Sequence, residues 1–168
     1  ITDKEYLLNY VRPLAEKLFK VSFNIGRFKN TNALHLTAYS LELVNFLEKK
    51  GFVPGNKIKN KLRIPIWIKN NNDYLIMCLR GLFDTDGSIY KLTNQNTCQI
   101  SFRSYNPLLL NDVRDGLLKL NINCSKISKS NTLYITKKEE IKKFFKVIGF
   151  SNQKHIKRFE LFLSSPVV

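Results

Sequence analysis

Acidic residues are scarce in this chain of 168 residues: 13 Asp+Glu stand against 28 Lys+Arg, a formal charge of +15. Such an imbalance disfavours a basic or cationic partner and favours a polyanion, nucleic acid first and an anionic membrane surface second, because neutralised phosphates release counterions. Cysteine is scarce too: Cys78, Cys98 and Cys124 are far apart, odd in number and without a C-x-x-C pair. That excludes a disulfide framework or a zinc site as the organising principle. His35 and His155 are isolated from each other and make no metal-ligand spacing. No apolar run approaches the roughly 20 residues that span a bilayer, and no signal-peptide core opens the chain. The expectation is a cytoplasmic protein with no membrane partner.

What is present suffices for a core, since 43% of residues are hydrophobic and 12% aromatic. Apolar spacing predicts a helix over 3–18, interrupted in pattern only by Pro13 and capped by Thr2 or Asp3. Strands are expected over 21–27 and 33–38, then a helix from Ser40 to Lys50 ending at Gly51. A basic, irregular connector over 54–68 precedes a more apolar helix, capped by Asp73, running from Tyr74 to about Asp84 and stopped by Gly87. Strands over 88–93 and 97–103, a helix over 107–120, strands over 123–128 and 132–136, and helices over 138–148 and 153–163 complete the reading.

The two halves repeat. Val11–Leu18 parallels Val113–Leu120 at an offset of 102 residues, Ala33–Thr37 parallels Thr132–Thr136 at 99, and Phe46–Phe52 parallels Phe144–Phe150 at 98. Ordered blocks with a drifting offset are what loop-length change in a duplicated unit produces. Carried back, the offset pairs Ile1 with Arg103, so the first copy lacks counterparts of residues 74–102. The expected division is 1–68, an incomplete αββα repeat with its basic connector, and 69–168, a fuller repeat.

Leu79-Arg80-Gly81-Leu82-Phe83-Asp84-Thr85-Asp86-Gly87 places two carboxylates in the last turn of an apolar helix. The helix dipole makes negative charge there unfavourable by a few tenths to about 1 kcal/mol. A hard cation reverses that sign, since Mg2+ accepts one or two carboxylate oxygens together with water and phosphate oxygens. Gly81 lowers helix propensity by roughly 1 kcal/mol and leaves a notch for a second backbone.

This stretch resembles the LAGLIDADG motif, agreeing at Leu79, Gly81, Leu82, Asp84, Asp86 and Gly87. The flanking Gly55 to Ile68 and Ser88-Ile89-Tyr90 are likewise similar to homing endonuclease domains of inteins and introns. The resemblance implies an α+β fold of αββαββα repeats in pseudo-twofold arrangement, here with the first repeat incomplete. It implies a site-specific double-stranded DNA endonuclease in which Asp86 holds divalent metal, Mg2+ or Mn2+, at the scissile phosphate. Leu75, Cys78, Gly81 and Leu82 would pack a second motif helix. That helix would come from a segment upstream of Ile1, its acid some 16 residues before it, or from another chain. A lysine that stabilises developing charge would be Lys57 or Lys59 in the first copy and Lys154 or Lys157 in the second, with Asp84 a weaker ligand than a helix-end hydrogen-bonding group. A two-stranded ribbon fits the major groove, and alternation sends every second side chain towards it. The DNA-contact candidates are Ser88, Tyr90, Lys91, Gln99, Ser101 and Arg103, joined by Arg27, Lys61 and Lys126. The alternative is a module of the same fold that binds nucleic acid without cutting, an RNA maturase or a DNA-binding regulator. Charge alone would also suit binding to an acidic protein, but that reading does not explain the motif. Neither end of the chain carries splice-junction residues, so self-splicing is not expected.

Overall fold

The computed structural model describes residues 3–56, 58–92 and 98–163. The chain starts with α1 (Asp3–Tyr6), a π-helical turn (Leu7–Val11) and α2 (Arg12–Phe19), one continuous rod. The wide turn explains how Pro13 is tolerated: proline has no N–H for the preceding turn, and the Arg12 amide reaches back five residues to the Leu7 carbonyl instead of four. β1 (Asn24–Arg27) and β2 (Leu34–Thr37) form an antiparallel pair, and α3 (Leu41–Lys49) follows, capped by the Ser40 hydroxyl, which accepts from the Leu43 amide at 3.1 Å. α4 (Ile66–Lys69) is a single turn where an irregular stretch was expected, closed by bonds from the Ile68 and Lys69 amides to the Pro65 carbonyl.

The central helix α5 spans Asn72–Asp86 and is capped by Asn71, not Asp73: the Asn71 side chain accepts from the Tyr74 amide. β3 (Gly87–Lys91) leaves its tip directly. A Cβ added to Gly87 would fall on the Phe83 carbonyl, so the abrupt helix-to-strand turn requires glycine there. β4 (Cys98–Arg103), α6 (Pro107–Lys119), β5 (Thr132–Ile135), α7 (Lys138–Val147) and α8 (Gln153–Leu163) complete the order, and β3-β4-β5 make an antiparallel sheet with β4 central. The predicted strand over 123–128 is instead irregular. Its Ser125 amide donates to Tyr134 while its own hydroxyl accepts from the Tyr134 amide, a side chain occupying a place that a ladder carbonyl would fill.

All buried residues among those described lie from Ile64 onward. Leu75, Leu79 and Phe83 on α5 meet Ile100 and Phe102 on β4, Val113 and Leu117 on α6, and Phe144 on α7 in one cluster. Gly116 gives α6 its close approach, with Leu75 and Leu79 methyls against the place of a missing Cβ. The repeat partners differ in burial: Phe144 is 0% exposed, whereas Phe46 is 48% exposed. Where the first half has helix, strand pair and helix, 107–147 has helix, an irregular segment, the strand β5 and helix, and the apolar side chains of the first half lack the cover that α5 and β3-β4 give the second. A buried carboxylate, Asp112, fastens the connector to α6, accepting from Arg63 (2.7 and 3.2 Å), the Ile64 amide (2.9 Å) and Lys69 (3.2 Å).

Candidate active site

The two acids at the tip of α5 have different surroundings. Asp84 is 3% exposed and accepts from the Ser151 amide (2.9 and 3.2 Å), the Asn152 amide (2.9 Å) and the Tyr6 hydroxyl (3.1 Å). Those amides stand at the start of α8, where orphan N–H groups and the positive end of the dipole favour an anion. Asp84 is thus held by hydrogen bonds and joins α1, α5 and α8. The same contact, with burial as the larger cause, pushes the Tyr6 phenol far above its usual pKa. Asp86, two residues on, is exposed and has neither an ion pair nor a side-chain hydrogen bond among the described residues.

Asp86 lines one end of a groove of about 1050 Å3 whose floor is the outer face of α5, with Tyr74, Met77, Cys78 and Leu82. Gly81 lies on this face with nothing within 4 Å of a Cβ placed on it, so the expected notch is open. Leu75 is a correction: it is 1% exposed and packs inward on α6, because it shares the Leu79 and Phe83 side of the helix. Burial pushes the Cys78 thiol up to about 11.

Across the groove stand Asn56, Ile58 and Arg63 of the connector, and Arg103 and Tyr105 at the end of β4. Lys57 lies outside the described residues; Lys59, in the turn after it, is exposed. Lys61 is exposed, with a left-handed φ of 49°, and lines a different depression together with Lys49 and Lys50. Lys154 is paired with Asp3 at 3.4 Å, and Lys157 lines a small cavity with Tyr6 and Tyr10. Neither Lys59 nor the two α8 lysines line the groove that holds Asp86; among the described residues the basic connector residue that does is Arg63.

The β3-β4 register sets Ser88 opposite Ser101 and Tyr90 opposite Gln99. Ile89, Cys98, Ile100 and Phe102 are at most 1% exposed, which puts Ser88, Tyr90, Gln99, Ser101 and Arg103 on the outer face as the alternation predicts. Lys91 departs from that set: it pairs with Cys98 and has core-side parity, although as the terminal residue of β3 it is exposed. Thr93 and Thr97 lie outside the described residues. Arg103 donates to the Tyr105 hydroxyl at 2.8 Å and stacks over its ring. Arg27 is exposed and faces Asp84 and Thr85 across another groove, and Lys126 is exposed on the irregular segment. Sequence reasoning missed Thr136, which meets Gln99 across β4 and β5, because strand pairing sets that contact. It also missed Asp112, whose isolated position in α6 gave no sign of its partners.

Residues 73–149 match the model of the LAGLIDADG-like domain. The chain carries a LAGLIDADG-like domain. Among solved structures this chain is similar to I-DmoI in complex with DNA and Mn, at 17% identity over 86% of this chain and 75% of that one, TM-score 0.54. Variants of the homing endonuclease I-DmoI match at 16% identity over 86% and 70%, TM-score 0.55. Full-length DUF199/WhiA from Thermatoga maritima matches at 19% identity over 93% of this chain and 49% of that one, TM-score 0.54. No curated protein matches the chain. At these identities the likeness is one of fold, a LAGLIDADG homing-endonuclease-like α+β arrangement that includes the half of the chain before the matched domain. No helix of the described residues is long and apolar enough to cross a membrane.

Proposed function

We propose that the protein is a site-specific, divalent-metal-dependent double-stranded DNA endonuclease, with residues 69–168 as its LAGLIDADG repeat and 1–68 as an incomplete repeat plus connector. The observation that carries this reading is the contrast at the tip of α5, where Asp84 is consumed by three hydrogen-bond donors and Asp86 is left exposed at the end of a long open groove. A lone carboxylate at a helix C-terminus is unfavourable without a cation. No group of three His, Cys, Asp or Glu among the described residues could hold a metal by itself. Asp86 fits a metal that takes one carboxylate here and its remaining ligands from phosphate, water and a second acid, the coordination that Mg2+ or Mn2+ accepts. When bound, such a cation supplies Lewis-acid stabilisation of the phosphate and activates water. The chain's own residues position the duplex: the outer face of β3-β4 meets the groove of DNA, and the basic connector, with Lys57 and Lys59 as the candidate lysines and Arg63 in the groove lining, supplies positive charge. A second motif helix, from an upstream segment or another chain, covers the face around Gly81 and brings the second acid.

A second reading, nucleic-acid binding without cleavage, to DNA or RNA, is favoured by the single free carboxylate in the groove. The test incubates the full chain with a randomised duplex library, with and without Mg2+ or Mn2+, beside Asp86→Asn. Metal-dependent cutting that the substitution abolishes supports the endonuclease. Selective retention without cutting supports the binding module, and neither retention nor cutting overturns both.

A further inference from the structure

Gln99 is held in an unusual way for a half-buried residue on the outer face of a strand. Its neighbours Cys98 and Ile100 are buried at 1% and 0%, which anchors the strand beneath it. On the outer face its Oε1 accepts from the Tyr90 hydroxyl at 2.6 Å and its Nε2 donates to the Thr136 hydroxyl at 2.9 Å. Tyr90 is its direct cross-strand partner on β3, and Thr136 continues the β4-β5 register one step past Ile100 opposite Ile135. The carboxamide therefore sits between two hydroxyls from the strands on either side, with its plane and its direction set by both.

A primary amide has two N–H donors and an oxygen that accepts twice. Tyr90 occupies one acceptor site and Thr136 one donor, which leaves one donor and one acceptor side by side. Exchanging the amide oxygen and nitrogen leaves the same remainder, because both hydroxyls can donate or accept. In the major groove, adenine alone presents an acceptor, N7, next to a donor, N6–H2; guanine presents two acceptors, cytosine a donor, and thymine an acceptor beside a methyl group. We infer that Gln99 is a specificity residue that reads one adenine in the major groove, with Tyr90 and Thr136 as positioning residues that hold its carboxamide in the reading orientation. This rests on the outer face of β3-β4-β5 being the DNA-facing surface.

The test selects bound duplexes from a randomised library with the full chain and sequences them, for the wild type and for Gln99→Ala, Gln99→Glu, Tyr90→Phe and Thr136→Val. Thermal unfolding confirms that each variant is folded. The wild type should show one position enriched in adenine by roughly ten- to hundredfold, the range a bidentate contact commands. Gln99→Ala should flatten that position and leave the base preferences elsewhere in the site. Gln99→Glu should move it to cytosine, whose N4 amine donates to a carboxylate. Tyr90→Phe and Thr136→Val should each weaken the adenine preference in part without changing the base chosen. Should Gln99→Ala fail to fold, the change of base in Gln99→Glu decides. An adenine preference that survives loss of the Gln99 side chain, or a Gln99-dependent position that selects another base, overturns the inference while DNA reading by the protein stands. Absence of any sequence preference in the wild type overturns the DNA-reading proposal itself.

Discussion

Replacing each acid at the end of α5 should have opposite consequences, although they are two residues apart. Asp84→Ala leaves the buried Asn152 amide without an acceptor, and an unsatisfied buried donor costs about 1–3 kcal/mol. It also removes the group that satisfies the start of α8, a cap-like interaction of about 1 kcal/mol. Against this stands relief of negative charge at the C-terminus of α5, a few tenths to about 1 kcal/mol. The net expectation is a loss of about 2–3 kcal/mol, a large part of the roughly 5–15 kcal/mol typical of a domain. Asp84→Asn keeps one acceptor oxygen but turns an amide NH2 donor towards donors, and should fall between. Asp86→Asn removes an exposed, unpaired charge from the same helix end and should leave stability unchanged or raise it by up to about 1 kcal/mol. Urea unfolding followed by far-ultraviolet circular dichroism reads all three. An Asp84→Ala protein within about 0.5 kcal/mol of wild type, or an Asp86→Asn protein clearly less stable than it, would refute the division of roles.

Asp112→Ala strands the buried Ile64 amide and two cations; because Arg63 is 53% and Lys69 28% exposed and can rehydrate, a loss of about 2–3 kcal/mol is expected, below the 3–5 of a fully buried pair, read by the same urea titration. Burial raises the Asp112 pKa, but hydrogen bonds from Arg63, Ile64 and Lys69 outweigh it and hold the carboxyl below its usual range. The stability it provides is present above the unfolded value of about 3.9 and lost as pH falls through the folded one, so unfolding curves between neutrality and pH 2 should steepen less in Asp112→Asn than in wild type. His155 is 3% exposed; burial lowers its pKa despite the proximity of Asp84. A depressed histidine favours the fold above its unfolded pKa of about 6.5 and loses stability as pH falls below that, a slope that His155→Gln should remove. Gly87→Ala forces a Cβ onto the Phe83 carbonyl and should cost about 1–3 kcal/mol, visible as a lowered melting temperature.

Much of the site's outline is legible in local pattern. The motif residues, the ending of α5 before Gly87 and the alternation that buries Ile89, Cys98, Ile100 and Phe102 are matters of spacing, and spacing is written along the chain. The helix boundaries of α8 and, to within a residue, of α3 follow for the same reason. Leu75 was less accessible to such reasoning because α5 is apolar on two sides. Periodicity finds both stripes but does not say which faces the core and which faces the open groove. The irregular path of 123–128 escaped because Ser125 competes for the Tyr134 amide with its own side chain, a choice that depends on a neighbouring strand already in place.

The sequence by itself determined that two carboxylates would end a helix in a strongly basic chain and that a strand pair would present polar side chains on one face. These are consequences of short-range geometry and composition. The tertiary structure decided which carboxylate is free. Asp84 is neutralised in effect by amides 67 and 68 residues away and by a tyrosine 78 residues away, and no local signal marks those partners. It likewise decided that Gln99 stands between Tyr90 and Thr136, and that connector residues, not α8 lysines, share the groove of Asp86. Charge and hydrogen bonding act through space, so the roles of chemically identical residues are separated only when packing sets their distances.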